Sequence, residues 1–171
     1  MTDKCNRLNR FPERNQVRTM TPIRFLTAAL LAAALLFTAF SASAQSFYAE
    51  EIKATETVLR ANPTSLNNHQ RLATLHYLAG VAWGESGYVD RAQISAENAV
   101  LILSNASIPI SNPIYQSALY ASAYFKWENG KPNDALIDLD VMLSASPNNF
   151  KALYLKGVVL VGAPAKGNWK R

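Results

Sequence analysis

The stretch GKPNDALIDLDVML, residues 130–143, has a faint echo 43 residues upstream in GYVDRAQISAENAV, residues 87–100. Almost no letters agree. Placement does: Gly87 and Gly130 stand alike, and Ala92 and Ala135 follow each of them five residues later. Each stretch comes after one helix-like segment and opens another. A fixed skeleton of small residues with free filling between them is what a structural repeat looks like, because side-chain size is constrained most where backbones come close.

Reading outward from these two stretches, the chain is punctuated as a series of helices. Asn62-Pro63, Asn112-Pro113 and Ser146-Pro147 each close a segment, since the residue before a proline is biased away from helix and proline has no amide to donate. Gly87 and Gly130 mark shorter breaks, where positive φ ends one helix before the next begins. The pattern predicts six helices, at about 47–61, 66–85, 88–104, 114–128, 132–146 and 149–161. Pro132 fits the first turn of its helix, and Asp134 nearby suits the helix dipole. No segment alternates with period two for long enough to argue for a sheet.

The small residues and prolines keep a regular spacing: Pro113 to Ala123 is ten residues, Pro147 to Gly157 is ten, and Gly130 to Pro147 is seventeen. This resembles the tetratricopeptide repeat (TPR), a helix-turn-helix unit of about 34 residues with small residues where its helices touch and a proline near its end. The clearest copy runs from Gln116 to Asn149, with Leu119, Ala123, Gly130, Ala135 and Pro147 in the family's places and Met142 where a second alanine is usual. Another begins near Ala73, with Gly80, Gly87, Tyr88, Ala92 and Ala99 in place. A third starts at Phe150 with Leu153 and Gly157 and continues only through its first helix, and ATETVLRANP, residues 54–63, looks like the second helix of a copy. The 43-residue spacing needs extra residues, which fall in LSNASIPIS, residues 103–111. The resemblance implies an all-α, right-handed α-solenoid of about six helices, with Ala123, Ala135 and Gly157 at close helix approaches.

Residues 1–44 have a different character. A basic segment ends at Arg24, an apolar run follows from Phe25 to Phe40, and Ala42-Ser43-Ala44 fits signal-peptidase cleavage after Ala44. The apolar run, 16 residues, is shorter than the roughly 20 that span a bilayer comfortably. Met20 begins a compact signal of its own and is the expected true start, with residues 45–171 as the repeat domain. An uncleaved membrane anchor is the alternative. The one cysteine, Cys5, lies upstream of Gln45, so the expected mature chain has neither disulfides nor thiol chemistry. Of the 17 basic and 12 acidic residues, 11 and 10 lie from Gln45 onward, so the sequence pI of about 9.4 belongs to the leader. A nucleic-acid partner loses its main electrostatic support.

A search for chemistry yields no catalytic, cofactor or metal site. Asp138 and Asp140 are two apart on a helix, point to different sides and read as a solvated pair of acids. His69 and His76 are seven apart, about 10 Å of helix axis, too far to share one metal without distortion. His76 reads as a partly buried packing residue. GAPAKGN, residues 162–168, lacks the Lys-Ser/Thr of a phosphate loop, and no strand precedes it.

What remains is a surface. In the family that the chain resembles, the first helix of each repeat lines a concave groove. The resemblance places Tyr77, Tyr120 and Tyr154 at one repeat position of that groove, Val81, Tyr124 and Val158 at the next, Trp127 beyond, and Lys151 at an earlier one. The basic clamp that some members use for a terminal carboxylate is missing. The expectation is a non-catalytic protein-binding scaffold or adaptor, periplasmic or secreted, needing no cofactor and taking a protein or peptide partner. Self-association through residues 150–161 is also expected, because that helix is apolar on all sides. A membrane-anchored, self-associating structural subunit is the alternative; a hydrolase or ligand-binding protein is a third class.

Overall fold

The computed structural model describes Ser43 and residues 45–162. Among these residues the fold is all-α. Helix α1 covers 45–61, followed by α2 (Leu66–Glu85), α3 (Val89–Asn105), α4 (Pro113–Glu128), α5 (Pro132–Ala145) and α6 (Phe150–Leu160). The leader, its cleavage after Ala44, the start at Met20 and the tail from 163 lie outside the described residues. Among the described residues no helix is long and apolar enough to cross a membrane.

Local chemistry explains where the helices start and stop. The side chains of Ser65, Asn112 and Asn149 accept the free amides of Asn68, Ile114 and Ala152 at the N-termini of α2, α4 and α6, meeting donors that have no partner inside the helix. Pro113 and Pro132 open α4 and α5, where a missing amide does no harm. Gly87 at φ +81° and Gly130 at φ +72° close α2 and α4. Beyond them the amides of Tyr88 and Lys131 reach back five residues to the Trp83 and Lys126 carbonyls, at 2.9 and 2.8 Å, the bond of a Schellman cap. Helix α3 ends by the same device on a residue with a side chain: Ser107 takes φ +53° and the Ile108 amide bonds the Leu103 carbonyl at 3.0 Å. The extra residues between α3 and α4 thus form an ordered connection, with Ile108 buried against the core.

Each helix from α2 to α6 packs on the next, and α2, α4 and α6 also touch in series. The core between them is rich in alanine: Ala92, Ala96, Ala99, Ala118, Ala123, Ala135 and Ala152 are all fully buried. Small side chains let backbones close in. A methyl built on Gly80 of α2 would lie 3.1 Å from the Ala92 carbonyl oxygen and 3.4 Å from the Ala96 nitrogen of α3. One turn further, a methyl on Gly84 would sit 2.5 Å from the Phe125 ring, so this glycine makes the seat for Phe125 and joins α2 to α4.

Two expectations are corrected. Gly157 is not at a close approach: it is exposed, and a methyl there would meet nothing within 4 Å. Among the described residues no helix covers that side of α6. Asp138 and Asp140 are not a solvated pair either. Asp138 is buried and accepts from Ser122 Oγ at 2.6 Å and Lys126 Nζ at 2.7 Å, while exposed Asp140 pairs with Lys156 at 2.5 Å. Two residues of offset on a helix turn one carboxylate inward and the other out.

Gly80→Leu forces side-chain atoms against the α3 backbone and is expected to lower unfolding free energy by about 1–3 kcal/mol, the usual cost of overpacking. Gly157→Ala, in open space, is expected to raise it by about 0.5–1 kcal/mol through lost backbone freedom in the unfolded chain. Urea denaturation of both variants at low protein concentration checks the contrast; equal destabilisation would place Gly157 back in a packed contact.

Candidate functional site

The aromatic residues singled out in the sequence fall on α2, α4 and α6, the three helices that touch in series. Tyr77 and Tyr124 are half-buried and pack on the same part of the core, beside Ala92, Ala96, Ala121 and Phe125. Tyr124 also meets Phe125 and Trp127 edge-on, with ring centroids 5.5 and 5.8 Å apart, the geometry that ring quadrupoles favour. Tyr120 packs against the main core. Tyr154, on the neighbouring α6, is exposed and stacks on Phe150 at 6.4 Å, a residue not among those expected in the groove.

The hydroxyls of this row feel one another. Burial pushes the Tyr120 phenol above its ordinary value, and Tyr154 adds to the rise. Burial also pushes Tyr124 up, to about 12, aided by a hydrogen bond to the Glu128 carboxylate, by that carboxylate's charge and by Tyr120. Both effects penalise a phenolate, the first by removing water and the second by adding like charge. The structure therefore brings Tyr120, Tyr124, Trp127 and Tyr154 into one neighbourhood on α4 and α6, with Tyr77 joined to it through the core. Lys151 is exposed at the start of α6. Val81 and Val158 are half-buried.

A second constellation was not legible in the sequence. Lys126 of α4 lies 2.7 Å from Asp138 of α5 and 3.7 Å from Glu97 of α3. Glu97 accepts from Gln93, whose own carbonyl accepts from Asn129 at 2.7 Å and Lys131 at 3.3 Å. This network ties three helices and one turn together through groups that satisfy one another. On the other side of α3, the Arg91 guanidinium lies 4.7 Å from the Trp83 ring and 5.6 Å from the Tyr88 ring, close enough for cation–π attraction.

The two histidines have separate surroundings. His69 Nδ1 sits 2.9 Å from the Ser65 carbonyl of its own helix. His76 is half-buried, and burial holds its pKa below the usual histidine value, partly offset by Glu56 of α1. Among the described residues no group of three or more His, Cys, Asp or Glu side chains is gathered for a metal. Comparison of the chain with protein-family models, with curated proteins and with solved structures yields no match.

Asp138→Ala leaves Lys126 half-buried with only the longer contact to Glu97, and is expected to cost about 2–3 kcal/mol, somewhat below the loss for fully buried pairs. Replacing both partners, as Lys126→Met with Asp138→Leu, is expected to recover most of that in urea denaturation. For Tyr124 the pH dependence follows from the sign of its shift. The native pKa, about 12, exceeds the unfolded value near 10, so its contribution to stability is complete below pH 10 and lost as pH rises through 12. Tyrosinate absorbance is expected to show a late-titrating component that shrinks in Tyr124→Phe, with Tyr120 also titrating above the ordinary range.

Proposed function

We propose that the chain is a non-catalytic protein-binding module of the tetratricopeptide type, exported from the cytoplasm, that receives a protein or peptide on the face formed by α2, α4 and α6. The observation that carries this reading is the aromatic row itself. Tyr77, Tyr120, Tyr124, Trp127 and Tyr154 lie on alternate helices of a chain in which those helices touch in series. Tyrosine and tryptophan offer large contact area at small entropic cost and are enriched among the residues that dominate binding energy. The placement of small residues supports the repeat: Gly80 meets α3 at Ala92 and Ala96, and Ala123 and Ala135 are fully buried. Residues 45–171 carry only one more basic than acidic residue, so recognition rests on apolar and aromatic contact with little long-range steering. Export rests on the order of basic, apolar and small residues in 1–44. Lys151, exposed at the start of α6, is the lone basic candidate that the resemblance assigns to this face.

The burial of the rings decides which substitutions test the face cleanly. Tyr120 and Tyr124 pack on the core, so removing them disturbs the fold as well as the surface. Tyr154 is 64% exposed. Tyr154→Ala in the full chain is expected to reduce recovery of the protein partner from an envelope extract by the equivalent of about 2 kcal/mol, the size of a binding anchor, with helical circular dichroism and melting temperature unchanged. Equal recovery by variant and wild type would remove the face from the binding surface. A second reading, a structural subunit that stacks on itself, is favoured by one observation: α6 exposes Phe150, Leu153, Leu160 and Val161 beyond it.

A further inference from the structure

Two columns of the chain's own pattern change character at α1 and α6. Gly80, Ala123 and Gly157 hold one place in α2, α4 and α6. The first two are buried, Gly80 against the α3 backbone, whereas Gly157 is exposed with open space beside it. Four residues earlier the contrast repeats: Leu119 is 2% exposed and Leu153 48%. The second helix of each pair shows the reciprocal change. Ala99 of α3 and Met142 of α5 hold one place, and Val58 of α1 holds it too, five residues before Pro63 as Met142 is before Pro147. Met142 is 3% exposed and Val58 54%. Among the described residues, then, α6 shows the side that α3 covers on α2 and α5 covers on α4. On the side that α3 and α5 bury, helix α1 exposes Ala54 and Val58, while Thr55 between them is buried and Glu51 pairs with Arg71 of α2.

We propose that α6 of one molecule is covered by α1 of a second copy, so that the chain assembles head to tail and each junction completes one helix pair. The filling at corresponding places supports this occupant. The ion pair joining α4 to α5 is Lys126 with Asp138; Leu160 stands 34 residues after Lys126, and Ala54 stands 84 before Asp138. Both charged partners are thus replaced by apolar side chains, one on each of the two uncovered helices. Glu51 occupies the column of Ala92 and Ala135, and the residue across the junction is Gly157, the smallest available. A shallow groove lined by Ala54, Thr55, Val58, Asn68 and Arg71 lies beside this side of α1, and the buried Thr55 hydroxyl in it has no partner. In charge, α6 carries no acid and two lysines, Lys151 and the Lys156 that pairs with Asp140, while 45–61 carries Glu50, Glu56 and the Glu51 that pairs with Arg71, against Lys53 and Arg60.

Such a junction joins two different surfaces, so it propagates into a filament or closes into a ring and does not stop at a two-fold dimer. It rests on the repeat reading and is independent of the aromatic face. The test uses the full chain with Cys5→Ser as background and two separate variants, Ala54→Cys and Gly157→Cys, both at exposed positions. Within α2 and α3 the corresponding atoms, a methyl on Gly80 and Ser95 Cβ, would lie 3.4 Å apart, near the Cβ separation of a disulfide. Mixing the two variants under mild oxidation is expected to link them, while neither variant links to itself. Linkage of either variant to itself as readily as in the mixture, or no linkage in the mixture, would overturn the proposal. Gly157→Leu is expected to keep its helicity and lose concentration-dependent sedimentation; sedimentation unchanged from wild type would also overturn it. Adding Tyr154→Ala to the two cysteine variants is expected to leave their linkage unchanged, so loss of the partner and loss of the junction are read separately.

Discussion

The approach of α2 to α3 at Gly80 is the constraint on which the rest of the helical array depends. With the Ala92 carbonyl 3.1 Å from where a methyl would stand, even a small side chain makes its neighbours give by a few tenths of an ångström, and a bulky one makes them give more. The pair closes because Gly80, Ala92, Ala96 and Ala99 are all small. At the corresponding places in α4 and α5, Ala123 and Ala135 are fully buried and Met142 fills the remaining space. Packing this close strengthens dispersion contacts over the whole interface, since each atom gains only a small attraction and needs many near neighbours. It also brings α2, α4 and α6 into series, with Phe125 seated on Gly84.

Polar groups finish what the small residues begin. A core built on alanine buries little apolar area per side chain, and larger residues such as Leu103, Tyr115, Leu139 and Leu155 supply more. The Lys126–Asp138 pair and the Gln93 network add direction: their hydrogen bonds are satisfied only when α3, α4 and α5 stand in one arrangement. The contribution of such groups lies in fixing the arrangement more than in net stabilisation, because desolvation offsets much of the attraction between the charges. The aromatic residues of α4 thus stand on a helix that these contacts tie to α3 and α5.

The helix boundaries were legible because their signals are local. Asparagine–proline pairs, Gly87, Gly130 and the asparagine caps act within a few residues, and the observed ends fall within one or two residues of those expected. What depended on distant partners was not legible. Asp138 looked like Asp140 in the sequence, since its burial depends on Ser122 and Lys126, 16 and 12 residues away. Gly157 matched the small-residue column, yet a small residue marks a close approach only when a second helix lies against it. Ser107 gave no hint of its positive φ, which glycine performs at the two equivalent turns. For the candidate site, the placing of the tyrosines on α2, α4 and α6 was readable while their burial was not: Tyr120 and Tyr124 are partly core, and Tyr154 is surface.

That division bears on function. In the proposed binding role, rings rooted in the core would be held in place and an exposed ring beside them would engage the partner, a combination that costs little entropy. Ile94 of α3 and Ile137 of α5 are exposed too, on helices that carry none of the row's aromatic residues. The most direct measurement is therefore site-specific photocrosslinking in the full chain, with a benzophenone side chain placed in turn at positions 154, 94 and 137. The account predicts a crosslinked protein partner from position 154 and none from 94 or 137. Crosslinks from 94 or 137 with none from 154 would contradict it.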